Sequence, residues 1–597
     1  MSTVNERLSQ LREIMKREHV DFYVVPTADF HSSEYVSEYF KVRKFLTGFT
    51  GSAGTLVVSQ KEAGLWTDGR YFVQAAKQIA GTEVVLYRMG EEGVPTVEDY
   101  LAKEVLENQT VGFDGRTITA SFGDTLAEKL QGKNVHFVYE KDLADEIWTD
   151  RPQLPCTKTW VVPDELSGQT AAEKLLRVRA EMKKNGAAHL LMSKLDDIMW
   201  LYNIRANDVT CNPVALSYTF ISENEAVLFI QKAALTDEVE QYLAQNQVTC
   251  RDYAEIAEYI KSVKLTGKVW CAGRDINYLL YHLAQNRTEV VDLDNPTTLL
   301  KAVKNQTEME STRKYYIEDS AVLTRFLFWM KKQAGKEPMD EISVAEKLDK
   351  MRSEINGFLD LSFETISAYK ANAAMAHYSA TPEEKSDITN DGLYLVDSGA
   401  QYKGATTDVT RTIALGNITE EMKMHFTKVV CSMLRMADTK FLHGCTGRNL
   451  DIIAREPLWE CGLDYKHGTG HGIGFILNVH EGPHSLRWQY NEKLKETVFE
   501  EGMIVSDEPG MYIAGSHGIR IENILETVKE QKNEFGQFMG FRHLTYVPID
   551  TDALDKKYME ASDIEKLNKY HAMVFEKISP FFEGEELEML KEATKAI

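Results

Sequence analysis

Cysteine is scarce in this chain, and what there is shows no pairing pattern. The seven cysteines (Cys156, Cys211, Cys250, Cys271, Cys431, Cys445 and Cys461) are odd in number, scattered, and never spaced C-x-x-C. That excludes a disulfide frame and a zinc knuckle, and implies reduced thiols in a cytoplasmic protein. Long apolar runs are also missing. None approaches the about 18 residues of a membrane span, and the opening "MSTVNERLSQLREIMKREHV" is charged throughout, without the apolar core of a signal peptide. No membrane association is expected. Basic charge is in deficit, with 68 Lys and Arg against 91 Asp and Glu and a formal charge of −23. Such a balance argues against nucleic acid or an anionic membrane as partner, because both bind through clustered positive charge.

The 597 residues, 43% of them hydrophobic, exceed one core; at roughly 150 to 200 residues per domain they suggest three or four domains. Apolar residues Val4, Leu8, Leu11 and Met15 have helical spacing and lead into the strand-like "DFYVVP". Strand and turn signals follow in "FLTGFTGSAGTLVVS" (45–59) and "GLWTDGRYF" (64–72), giving an α/β class. The stretch 148–170, with Pro152, Pro155 and Pro163, reads as a linker. Beyond it the order repeats: helix "AAEKLLRVRAEMKKNG", strand "AAHLLMS", short helix "LDDIMWLYNI", then strands "ALSYTFIS" and "EAVLFI". An internal duplication is therefore predicted. From about Leu300 to Gly335 the pattern reads as one long helix. A strand-rich region with helices at about 419–442 and 447–461 comes next, and the charged helical tail Ala553–Ile597 is expected to pack on it. The boundaries expected are 1–152, 153–303 and 304–597.

Three of the fifteen histidines crowd into "HGTGHGIGFILNVHEGP" (467–483). His467 and His471 have the i, i+4 spacing of the helical zinc motif, but Gly468, Thr469 and Gly470 lie between them, no Glu is present, and each glycine costs a helix about 1 kcal/mol. A dinucleotide fingerprint fails because Ile473 and Phe475 stand where its third glycine belongs, and no phosphate-binding G-K-[ST] exists. Carboxylates elsewhere are placed to complete a metal site. Asp397 closes the strand "LYLVD", and Asp408 lies in "GATTDVTRTI" on the adjacent strand of an expected antiparallel pair. Glu508 follows "MIVSD", where Pro509 and Gly510 are expected to force a turn; alternation in "GIRIENI" puts Arg520 and Glu522 on one face. Taken singly, a strand-end Asp is usually a turn former and a His among glycines is usually solvated. Taken together, four carboxylates and one neutral imidazole carry a charge that balances two divalent cations, and oxygen-rich ligation favours Mn²⁺.

The combination "VDSGAQYKGATTDVTRT", "HGTGHGIGFILNVHEGP", "SDEPGMY" and "GIRIEN" closely resembles the pita-bread metallopeptidases, and among them the long, three-domain aminopeptidase P (Xaa-Pro aminopeptidase) family. "FLTGFTGSAGTLVV", "LWTDGRYF" and "WTDRP" resemble its first domain and "LDDIMWLYNIRANDV" its second, so the likeness spans the chain. It implies two creatinase-like α/β domains before a pita-bread α+β catalytic domain with a helical extension. It implies two divalent ions, Mn²⁺ with Zn²⁺ or Co²⁺ as alternatives. Asp397 would chelate one, Asp408 and Glu522 would bridge both, and His471 and Glu508 would complete the other. His377, His467 and His480 match histidines that handle protons or substrate, and Arg520 a brace for the carboxylates. Glu508 would also carry the proton in attack by a metal-bridging hydroxide. The activity implied is release of the N-terminal residue from peptides with proline second, in a cytoplasmic homodimer. The alternatives are a prolidase-like dipeptidase and a non-catalytic pita-bread binding protein.

Overall fold

The computed structural model describes residues 3–490 and 496–597, which form two compact units: Met1–Val162 with Gln169–Thr297, and Pro163–Gly168 with Thr298–Ile597. Among the described residues no helix is long and apolar enough to cross a membrane.

The first unit opens with helix α1 (Val4–Arg17). Thr3 and Glu6 close a capping box at its start, and Leu8, Leu11, Ile14 and Met15 form its buried stripe. Strands β1 to β6 (Phe22–Pro26, Thr55–Ser59, Ala63–Thr67, Val84–Arg88, Thr110–Phe113, His136–Val138) form one sheet in the order β4-β3-β2-β1-β5-β6. Strands β7 to β12 (His189–Met192, Ser217–Ser222, Ala226–Ile230, Val248–Asp252, Val269–Trp270, Val290–Val291) form a second, in the order β10-β9-β8-β7-β11-β12. Parallel and antiparallel pairings also match strand for strand. The repeat legible in the sequence is thus a repeat of topology. Helix α3 (Ala171–Lys184) precedes β7 as α1 precedes β1. Helices α2 (Ala120–Lys129) and α4 (Tyr278–Gln285) meet at their N-termini through reciprocal bonds: Ala120 N–H donates to Ile276 C=O at 3.0 Å, and Tyr278 N–H to Ile118 C=O at 2.8 Å. One local expectation fails. "FLT" is not strand but the end of a helix, Val42–Thr47, which Gly48 terminates at φ 73°.

The second unit starts with a correction too. The expected single helix after Leu300 is two, Pro296–Ala302 and α5 (Gln306–Gln333), because Asn305 caps the second and closes a box with Glu308. Helix α6 (Glu341–Ser353) follows, then strands β13 (Ile366–Tyr369), β14 (Leu393–Ser398) and β15 (Val409–Ala414) as an antiparallel trio. Strands β16 (Gly470–Gly472), β17 (Glu481–Leu486), β18 (Ile504–Asp507), β21 (Asn523–Asn533) and β22 (Gly536–His543), with the short strand Phe441–Leu442, build a six-stranded sheet. A hairpin of β19 (Gly510–Ile513) and β20 (His517–Arg520) interrupts it in sequence. Helices α7 (Glu420–Ala437) and α8 (Gly447–Trp459) cover the sheet, and α9 (Ala561–Ile578) and α10 (Gly584–Ala593) add Leu567, Tyr570, Val574, Ile578 and Leu590 to the same core. The tail packs as its sequence leads one to expect.

Candidate metal centre

Strand ends and alternation aim the side chains. On β14 and β15, Asp397 is paired with Thr410, so Asp408 lies just before β15, on the face that Thr410 and Thr412 share. Those threonines bind the hairpin side of the site: Thr410 Oγ1 donates to Glu522 Oε2 at 2.8 Å, and Thr412 Oγ1 donates to the Arg520 carbonyl at 3.0 Å. "GIRIEN" is not one strand, since Arg520 ends β20 and Asn523 begins β21. Nor do Pro509 and Gly510 make a hairpin turn. The chain passes there from β18 in the large sheet to β19 in the small one, and Glu508 sits at the gap between them.

The glycines of "HGTGHGIG" have a geometric reason that the sequence did not give. A Cβ on Gly470 would lie 1.7 Å from the Ser506 carbonyl oxygen, and one on Gly472 2.2 Å from that of Glu481. The strand carrying His471 is therefore pressed against both neighbours, with Gly472 paired to Val505 and to Glu481. His471 N–H donates to Ser506 Oγ at 2.9 Å, and that hydroxyl donates to Glu508 Oε1 at 3.2 Å.

Four of the five expected metal ligands, Asp408, His471, Glu508 and Glu522, stand close together. Ligand atoms of Asp408, His471 and Glu522 lie within 4.8 Å of one another. His471 Nε2 stands 3.4 Å from Glu508 Oε1 and 3.6 Å from Asp408 Oδ2. Its Nδ1 is 3.0 Å from the Gly472 carbonyl, to which it can only donate, so the Nε2 lone pair faces two carboxylates. Asp397 Oδ2 accepts from Arg520 Nη2 at 2.6 Å, while its buried Oδ1 accepts no hydrogen bond among the described residues. Burial raises the Asp408 carboxyl well above its ordinary pKa, Glu522 and Asp397 adding to the effect. Burial does the same to Glu522, with Glu508 and Asp397 adding, and takes Glu508 up to about 8, where Arg520 opposes and Asp408 and Asp397 assist. Buried carboxylates facing an imidazole lone pair need cations or protons between them. The donor set and the unsatisfied Asp397 oxygen both fit divalent cations.

The other expected residues divide. Arg520 is buried and braces Asp397. His480 stands edge-on to His471, ring centres 4.3 Å apart. His467 Nδ1 donates to the Gly468 carbonyl at 2.7 Å, so its Nε2 accepts from the Tyr512 hydroxyl at 3.0 Å; burial, then Arg520, lowers its pKa to about 3. His377 is exposed, in a turn after the 3₁₀ segment Lys370–Ala374. Sequence reasoning missed Tyr512. It accepts from Arg520 Nη1 at 2.8 Å and so joins His467 to the carboxylate cluster. Nothing local in the sequence marks it, since its role comes from His467 and Arg520, which lie elsewhere in the chain.

Comparison with known proteins agrees with this geometry. Residues 310–529 match Metallopeptidase family M24, residues 537–597 the C-terminal region of that peptidase family, and residues 7–147 and 150–308 each a Creatinase/Prolidase N-terminal domain. A probable Xaa-Pro aminopeptidase P of Botryotinia fuckeliana is 38% identical, over 99% of this chain and 92% of its own. The chain belongs to the Xaa-Pro aminopeptidase P group of metallopeptidase family M24. Aminopeptidase P2 of Arabidopsis thaliana is also similar, 36% identical over 97% of this chain and 87% of its own. Among solved structures, X-prolyl aminopeptidase from Caenorhabditis elegans, described as a cytosolic enzyme with a di-nuclear active site, superposes with a TM-score of 0.94 at 34% identity over all of both chains. An Xaa-Pro dipeptidase from Bacillus anthracis, 26% identical with a TM-score of 0.51, accounts for 99% of itself but only 64% of this chain.

Proposed function

We propose that this M24 peptidase releases the N-terminal residue from peptides carrying proline in the second position, with two divalent cations held by Asp397, Asp408, His471, Glu508 and Glu522. The observation that carries the metal site is the convergence of buried carboxylates on the His471 Nε2 lone pair, an arrangement that only positive charge relieves. Proline selectivity is supported by the full-length likeness to an X-prolyl aminopeptidase. In the assignment we favour, Asp397 would help to hold one ion, His471 and Glu508 the other, and Asp408 and Glu522 would serve both. Oxygen-rich ligation points to Mn²⁺ rather than Zn²⁺ or Co²⁺.

When bound, the ions would supply Lewis-acid polarisation of the scissile carbonyl and a water acidified enough to attack at neutral pH. The residues supply the rest. Glu508 takes the proton of the attacking water and delivers it to the proline nitrogen, which must be protonated to leave as the secondary amine of the product. Arg520 holds Asp397 in place from behind. His480, edge-on to His471, and His377 face the substrate and stabilise the developing negative oxygen. His467, neutral and engaged at both ring nitrogens, acts by orienting Tyr512. Three domains, 1–152, 153–303 and 304–597, a cytosolic location and a homodimer complete the reading.

The test is to strip the protein with a chelator, restore Mn²⁺, Co²⁺ or Zn²⁺ separately, and assay Xaa-Pro-Yaa, Xaa-Ala-Yaa and Xaa-Pro. Cleavage of Xaa-Pro-Yaa is expected, best with Mn²⁺. Equal cleavage of Xaa-Ala-Yaa would sink the proline assignment, and cleavage of Xaa-Pro alone would make the protein a dipeptidase.

A further inference from the structure

Alternation along β15 puts an arginine where the pattern calls for an apolar residue. Val409, Arg411 and Ile413 share one face of the strand, while Thr410 and Thr412 share the other, which is turned to the carboxylate cluster. Val409 and Ile413 lie in one apolar core with Val547, and Arg411 between them is 0% exposed. Every acceptor that its guanidinium meets among the described residues is neutral. These are the carbonyls of Thr410 at 2.9 Å, Glu522 at 2.6 Å, Val547 at 2.8 Å and Pro548 at 3.3 Å, the Asn523 amide oxygen at 2.7 Å and the Tyr570 hydroxyl at 2.9 Å. A buried cation without an anionic partner lowers stability, and the aimed dipoles offset that cost.

What this arginine holds is the backbone of a proposed metal ligand. Glu522 lies between β20 and β21, so no strand ladder fixes it. Its N–H donates to the Thr410 carbonyl at 3.1 Å, its carbonyl accepts from Arg411 Nη1, and its Oε2 accepts from the Thr410 hydroxyl at 2.8 Å. Backbone and carboxylate of Glu522 are thus gripped by two consecutive residues of β15. Arg411 Nη1 donates to the Thr410 carbonyl as well, so one nitrogen ties both ends of the grip. The other nitrogen, Nη2, is locked by the C-terminal tail. Leu567, Tyr570, Val574 and Ile578 recur at helical spacing as the buried stripe of α9. The Tyr570 hydroxyl on that stripe accepts from Arg411 Nη2 and donates to the Val547 carbonyl at 2.8 Å, and Val547 accepts from Nη2 too, which closes a triangle.

We propose that Arg411, locked by Tyr570 of α9, is a positioning residue for Glu522, so that the C-terminal extension governs how tightly the two metal ions are held. The inference rests on the metal-site reading above. A ligand outside the strand ladder keeps its carboxylate in place only as well as its backbone is held, and groups that support a ligand contribute about 10- to 100-fold to metal affinity. Arg411 and Tyr570 need touch neither ion nor substrate; both act through the Glu522 backbone.

The experiment is calorimetric titration of Mn²⁺ into the chelated full chain, with urea unfolding alongside, for wild type, Tyr570→Phe, Arg411→Lys and Tyr546→Phe. Tyr570→Phe removes a single hydroxyl and is expected to weaken Mn²⁺ binding about 10-fold. Arg411→Lys keeps the charge, but one ammonium cannot reach the Glu522 and Val547 carbonyls together, so a loss of about 100-fold is expected. Tyr546→Phe is the control. It removes a hydroxyl bond of the same kind, to the His543 carbonyl at 2.9 Å, which does not involve Arg411, and should lower stability without moving Mn²⁺ affinity. A folded Tyr570→Phe protein with wild-type Mn²⁺ affinity would overturn the inference. Equal weakening by Tyr546→Phe would overturn it as well, since the tail would then act only as a general stabiliser. If Arg411→Lys fails to fold, the comparison of Tyr570→Phe with Tyr546→Phe decides by the same criterion. A wild-type protein that takes up none of Mn²⁺, Zn²⁺ and Co²⁺ would instead strike the metal-site reading itself.

Discussion

Gly470→Ala adds one methyl group beside the proposed ligand His471, and the structure says how far something must move. The new Cβ would lie 1.7 Å from the Ser506 carbonyl oxygen, against a lower limit of 3.0 Å for real contacts of this kind, so the two must separate by about 1.3 Å. Ser506 cannot give way cheaply. It is paired to Ile524 in β21, and its hydroxyl links His471 to Glu508. The strand of three residues that carries His471 yields instead, moving Nε2 relative to partners now at 3.4 and 3.6 Å. Metal–ligand distances tolerate about 0.2 Å, and disturbing the support of a ligand typically costs 10- to 100-fold in affinity. We therefore expect Gly470→Ala to weaken Mn²⁺ binding by about 100-fold, or about 3 kcal/mol, and to lower stability by about 1 to 3 kcal/mol through overpacking. Calorimetric titration of Mn²⁺ into chelated protein, with urea unfolding alongside, measures both. Gly69→Ala is the control, because its Cβ would find nothing nearer than Phe72 at 3.8 Å, and should change stability by less than about 0.5 kcal/mol. A folded Gly470→Ala protein with wild-type Mn²⁺ affinity would refute the claim that close strand approach, rather than loop freedom, requires these glycines.

Tyr512→Phe should leave Mn²⁺ content intact but lower kcat, since Arg520 Nη1 and His467 Nε2 both lose a partner at 2.8 and 3.0 Å; the net cost of a bond to a charged group is about 1.5 to 3 kcal/mol, and unchanged kcat would remove Tyr512 from the site. In the chelated protein, Glu508 has its pKa raised from 4.5 to about 8, with Asp408 and Glu522 raised in the same direction. The native state then holds protons that the unfolded state releases, so the stability of the chelated protein should fall as pH rises from about 5 to 8, whereas the Mn²⁺-loaded protein should not follow. Thermal unfolding of both forms across that range checks the divergence, and parallel curves would contradict it. His571 behaves oppositely. It is buried, accepts from the Ile549 N–H at 3.1 Å, and burial together with Arg411 lowers its pKa from 6.5 to about 4. Its contribution is complete above pH 6.5 and lost on acidification toward 4, amounting to about 2 kcal/mol at pH 5. His571→Gln keeps an acceptor for Ile549 and should flatten the acid limb of urea-derived stability between pH 7 and 5 by that amount; an unchanged limb would place the acid lability elsewhere.

How much of this was legible beforehand depended on the kind of signal. Periodicity found α1 and the strands of both N-terminal sheets, because Leu8, Leu11 and Met15 or the run "AVLFI" are read by the same burial that places them. It failed where one local group outweighs a pattern: the Asn305 cap that splits a helix, and the Gly48 terminator that makes "FLT" helical. The grouping of Asp408, His471 and Glu522 was legible from their residue types, although Glu522 lies between two strands and not on the single strand whose alternation suggested it. Tyr512, Ser506 and Thr410 were not, since a hydroxyl's role depends on what lies across the sheet, and nothing local encodes that. Glu341, fully buried at the start of α6, was hidden for the same reason. It looks like an ordinary first-turn glutamate, and four of its partners lie 28 to 45 residues away.

The reciprocal bonds between α2 and α4 have a consequence of a different kind. Ile118 and Ala120 exchange with Ile276 and Tyr278 as the two halves of a symmetric dimer interface would, except that a single chain supplies both halves. In a dimer of identical subunits every substitution is made twice. Here each side can change alone; His31, for example, bridges from the first half to the Ser193 carbonyl at 2.8 Å and the Tyr253 hydroxyl at 2.7 Å of the second. Fusing the two copies frees the duplicated scaffold to become lopsided, so one module can specialise while the other keeps the shared geometry.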